Sequence, residues 1–257
     1  MRKGPSMTIR RFYCEQIPPV GQEADLPPDE ARHALRVLRL AQGDRVVLLN
    51  GAGVRAEAVV SRADERKHRE RLVCSVVDRH VFRPPRTRLR LCVAVPRGKL
   101  MGRVIQDAME LGVWRVTPLI CRYSVAKPES SGAIESWRRD AVEAAKQSGN
   151  VFVPQLEPPQ SFTAALAAGT GTGYFGAVPV ESVTPTPAGA TPGTGEIELW
   201  IGPEGGFSDE ESAALRQRGY TALTVGEWTL RVETAVPALV GYLLGRIPHD
   251  HLRCERC

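Results

Sequence analysis

The sequence predicts an α/β chain in two parts. Residues 1–84 read as a small β-rich domain, and residues 85–257 as a largely parallel α/β sheet flanked by helices. Three observations carry this. The β-branched runs Arg45–Leu49, Val54–Val60 and Arg71–Val77 are of strand length, and one helical stripe interrupts the domain that holds them. From Leu89 onward apolar strands alternate with segments of helical period, the pattern of a sheet built from strand–helix units. Between the two parts lies Arg83-Pro84-Pro85-Arg86, whose prolines suit a linker.

The elements follow in order. A helix is expected from Asp29 to Leu40, after Pro27-Pro28, with Ala31, Ala34, Leu35 and Leu38 as its apolar stripe. Arg32, Arg36 and Arg39 stand at i, i+4 and i+7 and so share another face, suited to phosphate contacts or simply to water. The mixed charges of Asp64–Arg71 suit a solvated hairpin tip. In the second part, strands are expected at Leu89–Val95, Val116–Ile120, Tyr174–Val178, Ile197–Ile201 and Thr221–Val225. The stripe Met101, Val104, Ile105, Ala108, Leu111 predicts a helix ending at Gly112, and Ile134, Trp137, Ala141, Ala145 one ending at Gly149. A helix ending at Gly219 and a last apolar helix over Thr234–Arg246 complete the set. The Gly/Thr/Pro-rich Val183–Gly195 reads as a flexible loop. Gly171–Gly176 spells GxGxxG, but with no strand before it and no helix after it, it is no dinucleotide fingerprint. Arg97-Gly98-Lys99 lacks the upstream glycine of a P-loop.

Composition narrows the function classes. With 257 residues, 42% hydrophobic and 25% charged, the chain is that of a globular protein of two ordinary domains. No run approaches the ~18 apolar residues of a membrane helix. Met1-Arg2-Lys3 is not followed by an apolar signal core, so a cytoplasmic protein is expected. Residues 1–90 hold 19 Lys+Arg against 11 Asp+Glu, and the remainder 15 against 18. The basic excess therefore sits in the first part, where a phosphate backbone would need it. Cys74 and Cys92, in expected strands among apolar residues, read as packing, and in a cytosolic chain none of the six cysteines is expected to pair. The tail His249–Cys257 holds one CxxC without a second, and is read as a disordered end rather than a zinc site.

The densest signal is Ile201-Gly202-Pro203-Glu204-Gly205-Gly206-Phe207-Ser208-Asp209-Glu210-Glu211. It follows a buried strand, and its three glycines and proline make a tight loop open to close backbone approach. Ser208 and Glu211 then form a capping box that starts a helix. Strand, glycine loop and capped helix suit either a small-molecule site at a strand's carboxyl end or a plain tight turn. Val225-Gly226-Glu227-Trp228-Thr229-Leu230-Arg231-Val232-Glu233-Thr234-Ala235 forms a second such junction.

Together the two segments resemble the cofactor loops of the SPOUT methyltransferases, and more narrowly the RsmE family, whose form is close to "IGPEGGxxxxE … LGxxILRxETA". Arg11-Phe12-Tyr13, His33–Arg39, Glu110–Val113 and Glu143–Gly149 fit the same family in order and spacing. The resemblance implies a PUA-like RNA-binding barrel domain over 1–84 and a methyltransferase domain over 85–257 with a trefoil knot. It also implies a homodimer, the cofactor S-adenosylmethionine, and methylation of N3 of a uridine in 16S rRNA, in or near the 30S subunit. Ile201, Gly202, Gly205, Gly206, Val225, Gly226, Leu230 and Ala235 would hold the cofactor. Arg231, Glu233 and Glu204 are the candidate catalytic residues, because uracil N3 must lose a proton and its anion needs stabilising. Arg11, Arg32, Arg36, Arg39 and Thr234 are the candidate RNA contacts, and no metal is expected.

The chain departs from the family at Asp107, where a Lys is usual, at Asn150, where an Arg is usual, and at Glu227-Trp228-Thr229. Pro237, expected in the first turn of the last helix, is also unusual. These departures leave open an RNA-binding protein with altered catalysis, or an enzyme for another RNA base.

Overall fold

The computed structural model describes residues 9–66, 69–125, 131–169, 171–179, 195–247 and 254–256. They form two compact units. The first gathers residues 1–84, 145–152 and 252–257, and the second residues 85–144 and 153–251.

The first unit is built on β1 (Arg11–Tyr13), β2 (Glu23–Asp25), β3 (Arg45–Leu49), β4 (Val54–Arg66) and β5 (Arg69–Phe82). β3, β4 and β5 pair antiparallel, β1 lies parallel to β3, and β2 pairs with β5. Phe12, Leu48, Ala56, Leu72 and Cys74 fill the core between them. β4 and β5 run well past their apolar segments, so most of the charged stretch 64–71 is ladder, with Asp64 opposite Arg71. Backbone pairing continues through this charged stretch and makes a hairpin arm that β-branched content does not announce. Residues 67–68 lie outside the described residues. The segment 145–152 belongs here because Gly53 N–H donates to the Val151 carbonyl and Ala52 bridges to Phe152.

The expected twelve-residue helix is different. α1 (Pro28–Arg32) passes into a π-helical turn over His33–Val37, and Arg39 has φ of 53°. The Leu38 N–H reaches back five residues to the His33 carbonyl at 3.1 Å. The wide turn and left-handed exit allow Leu40, 4% exposed, to enter the core that Ala34 and Leu35 already occupy. The i, i+4, i+7 spacing therefore does not place Arg32, Arg36 and Arg39 on one helical face. Arg32 pairs with Asp29 at 3.3 Å, Arg36 pairs with Glu70, and Arg39 stands exposed. Arg11 is committed elsewhere too. Its guanidinium donates to the carbonyls of Lys146 and Gln147, each at 3.2 Å, at the negative end of a helix.

The second unit has β6 (Arg88–Ala94), α2 (Leu100–Glu110), β7 (Arg115–Ile120), α3 (Ser131–Ser148), β8 (Gln155–Leu156), β9 (Gln160–Ser161) and α4 (Phe162–Ala167). It continues with β10 (Thr172–Gly176), β11 (Glu196–Ile201), α5 (Asp209–Gln217), β12 (Thr221–Leu223) and α6 (Val232–Leu244). The strands order as β12-β10-β11-β6-β7-β8, all parallel, with β9 also on β7. Side chains alternate between two apolar layers. Leu91, Val93 and Leu199 face α2 and α6, whereas Cys92, Phe175 and Trp200 face α4 and α5.

The GxGxxG residues are mostly β10 itself. A Cβ on Gly173 would lie 2.2 Å from the Tyr220 ring, so this glycine makes room for an aromatic side chain, not for a dinucleotide. Pro237 lies in the second turn of α6, because the helix starts two residues earlier than the sequence suggests. It leaves the Glu233 carbonyl without the usual i+4 donor.

Beneath the α4–α5 layer lies a buried polar cluster. Arg90, 3% exposed, donates to Glu198 at 3.3 Å, to Glu157 at 3.2 Å and to Thr117 at 3.0 Å. Glu198, fully buried, also accepts from the Trp200 indole at 3.0 Å and the Tyr220 hydroxyl at 2.7 Å.

The strand β13 (Cys254–Arg256) pairs antiparallel with β5. These residues are ordered sheet rather than the disordered end that composition suggests, because β5 offers them an edge. His249, His251 and Cys257 lie outside the described residues, as do residues 183–194. Among the described residues no cluster of His, Cys, Asp or Glu is placed to hold a metal ion, and no helix is long and apolar enough to cross a membrane.

Two outcomes are expected. Burial pushes the Cys74 and Cys121 thiols up to about 12, so both stay protonated at pH 8. Residue-resolved alkylation of the native protein should leave both unmodified and label them only in denaturant. Glu198→Ala leaves a buried Arg90 short of a partner, and urea unfolding should show a loss of about 3–5 kcal/mol.

Candidate active site

β10, β11 and β12 are neighbours and parallel, so their carboxyl ends meet at one rim, where open α/β sheets bind ligands. Three segments leave that rim: Gly176–Pro179 after β10, Gly202–Phe207 after β11 and Thr224–Arg231 after β12. They enclose a cleft of about 570 Å³ with its open mouth included. Ile201, Leu223, Val232 and Leu239, each under 5% exposed, form an apolar floor.

The middle segment is held from several sides. Gly206 N–H donates to the Pro203 carbonyl at 2.8 Å and φ at Gly206 is 75°, so the turn needs the glycine. A Cβ on Gly202 would lie 3.0 Å from the Phe207 nitrogen, which leaves no space for a side chain. The capping box at α5 is complete: Ser208 Oγ accepts from Glu211 N–H at 3.2 Å and Glu211 Oε2 accepts from Ser208 N–H at 2.9 Å. Glu211 Oε1 accepts from the Arg122 N–H at 2.9 Å, which ties the loop after β7 to the start of α5. Glu204 Oε1 accepts from the Arg97 N–H at 3.1 Å, which brings in the loop after β6.

The structure brings together most of the residues the sequence singled out. Ile201, Gly202, Glu204, Gly206, Val225, Leu230 and Ala235 line the cleft. Gly205 and Gly226 belong to the same two loops but do not line it. Arg231 is the exposed residue before α6, and Glu233 and Thr234 lie in that helix's first turn, beside the lining residues Val232 and Ala235. No ion pair joins Arg231 to Glu233 among the described residues. Thr234 does not cap α6; Arg231 is the N-cap residue and makes no side-chain cap bond.

Sequence reasoning missed the wall formed by Gly176, Ala177, Val178 and Pro179. The signal was there in part, since a strand was expected at this place, but strand order is not readable from one sequence. Two departures also gain an account. Asp107, nearly buried, pairs with Arg103 one turn earlier at 2.8 Å. Asn150 Oδ1 accepts from Phe152 N–H at 3.1 Å and shapes the turn after α3.

An apolar floor, peptide groups at close range and Glu204 as the one formally charged lining residue suit a flat, partly apolar ligand with a positive group. A family model described as RNA methyltransferase domain matches residues 83–244, and one described as RNA methyltransferase PUA domain matches residues 26–68.

The first spans more than half of the chain, and the chain belongs to this RNA methyltransferase family. It is similar to the ribosomal RNA small subunit methyltransferase E of Mycobacterium bovis, 28% identical over 98% of each chain. Lpg2936 of Legionella pneumophila, solved in complex with the bound cofactor SAM, superposes with a TM-score of 0.84 at 25% identity, covering 93% of this chain and 98% of its own. A ribosomal RNA small subunit methyltransferase E from Neisseria gonorrhoeae shares the fold, with a TM-score of 0.82 at 24% identity over 93% and 98% of the two chains. The RsmE resemblance, the methyltransferase domain and the PUA domain at the N-terminal side expected from sequence are borne out.

Ser208→Ala is expected to cost about 1 kcal/mol in denaturant unfolding. Glu211→Ala should cost more, because its carboxylate serves two separate backbone donors; equal losses would show that the Arg122 contact contributes nothing.

Proposed function

We propose that the chain uses S-adenosylmethionine to methylate N3 of a uridine in 16S rRNA, as a cytoplasmic homodimer with the knotted threading of the SPOUT enzymes, acting in or near the assembled 30S subunit. The observation that carries this reading is the glycine-walled cleft at the ends of β10, β11 and β12, in a chain of RNA methyltransferase family. The names of its relatives point to small-subunit rRNA, and the SAM-bound neighbour to the cofactor.

The residues fit that cofactor. Gly202 leaves the backbone open to close approach, and Ile201, Leu223 and Leu239 offer a flat apolar surface for a ring. The Glu204 carboxylate lies where a cation is favoured. Gly205 and Gly226 act through the conformation of their loops. When bound, S-adenosylmethionine supplies an electrophilic methyl carbon on a sulfonium.

The chain's work is alignment, desolvation and management of one proton. Uracil N3–H is a poor nucleophile, so a carboxylate oxygen of Glu204 or Glu233 takes the proton. The Arg231 guanidinium, exposed to solvent next to the lining residues Leu230 and Val232, stabilises the negative charge then shared with the uracil carbonyl oxygens. Thr234 contacts the RNA from the first turn of α6. In the first unit Arg32, Arg36 and Arg39 meet phosphates from separate positions. Arg11 leaves that set, since its guanidinium holds helix carbonyls.

The test is transfer of labelled methyl groups to small ribosomal subunits lacking this modification, read by nucleoside mass spectrometry beside naked rRNA. One new 3-methyluridine is expected. Arg231→Ala should lower kcat about a hundredfold with cofactor affinity retained. Cofactor and RNA binding without any transfer would reverse the assignment in favour of an RNA-binding role.

A further inference from the structure

Trp228 is the most exposed large apolar side chain among the described residues, at 79%, and it lines the mouth of the cleft. Tyr123, 53% exposed, stands against the neighbouring part of the glycine loop, its Cβ 3.6 Å from the position a Cβ on Gly205 would take. Around these two rings the backbone brings Arg97, Arg122 and Arg231. Arg97 is fixed by its bond to Glu204, Arg122 by its bond to Glu211, and Arg231 follows the lining residue Leu230. All three are exposed and none is in an ion pair among the described residues. An indole left in water adds nothing to the core, and at the edge of a cleft its amphipathic ring is placed to meet an occupant. Exposed aromatic faces set among unpaired arginines are the arrangement that holds single-stranded nucleic acid, with stacking on the bases and charge on the phosphates.

We propose that Trp228 and Tyr123 are stacking platforms for unpaired bases of the RNA substrate, and that Arg97 and Arg122 hold the backbone between them. The inference rests on the methyltransferase reading in taking RNA as substrate, and it adds how the target strand is held open. A uracil in a duplex or compact loop must leave its stack to meet a cofactor, and stacking on side chains replaces what it loses. Trp228 and Tyr123 are positioning residues; they take no part in proton transfer.

The test uses the full chain and an unstructured uridine-rich RNA of about a dozen nucleotides. Trp228→Ala and Tyr123→Ala should each weaken binding about tenfold without changing the slope of log Kd against log salt, whereas Arg122→Ala should flatten that slope. Trp228→Phe should restore most of the affinity, and RNA should quench indole emission in the parent protein more than in Trp228→Phe. In the methylation assay the two alanine variants should raise KM for RNA more than they lower kcat. Unchanged RNA affinity in both alanine variants would overturn the inference even if methylation is found. So would a shift of oligomeric state on Trp228→Ala with RNA binding intact, which would make the indole a subunit contact. RNA quenching and lost affinity in a protein that methylates nothing would uphold this site while removing the reaction assigned above.

Discussion

A guanidinium taken out of water has to be answered on every side, and Arg90 sets this condition for the second unit. Its partners come from β7, from the segment after β8 and from β11, while Tyr220, just ahead of β12, closes on the same carboxylate. Desolvating these charges costs several kcal/mol per ion, so the cluster is tolerable only when complete. It is complete only in one register of the strands. Cys92 then lies beside Trp200 and Thr117, and the carboxyl ends of the central strands come level. Glycine loops can enclose a cleft only because those ends are level. Gly173 belongs to the same constraint, since the ring it accommodates is the one whose hydroxyl answers Glu198.

Legibility followed the range of the forces. The capping box, the turn at Gly206 and the glycine helix ends were readable, because a few adjacent residues determine them. The central strands of the second unit were readable because burial on both faces makes them predominantly apolar, with Arg90, Thr117 and Glu198 as the polar exceptions. What escaped depends on distant partners. β13 exists because β5 has an edge to pair, and the long arms of β4 and β5 because each completes the other's backbone ladder. The π-helical turn arises because Leu40 must reach the core, and a helical wheel drawn over Asp29–Leu40 cannot show it. Arg11 has the residue type of a nucleic-acid contact, yet a helix end that lies 135 residues away in sequence takes its hydrogen bonds.

In the candidate site the same division appears. Two of the cleft's three walls were legible as motifs, since their glycines serve local turns and close approach. The third, Gly176–Pro179, has ordinary composition and enters the cleft only because β10 lies between β11 and β12. Trp228 was visible only as a mismatch; its exposure is what gives the mismatch physical content.

The strand over Cys254–Arg256 has a consequence for the order in which the protein is made. It covers the stretch of β5 from His80 to Phe82, beyond the part that β2 covers. The first unit also waits for residues 145–152. A ribosome delivers residues in sequence, and N-terminal segments ordinarily fold first. Here residues 80–82 are made well before the segment 254–256 that covers them, and until it emerges their edge is a template for unwanted pairing. The nascent chain therefore needs protection at this edge until its distant partner has been made.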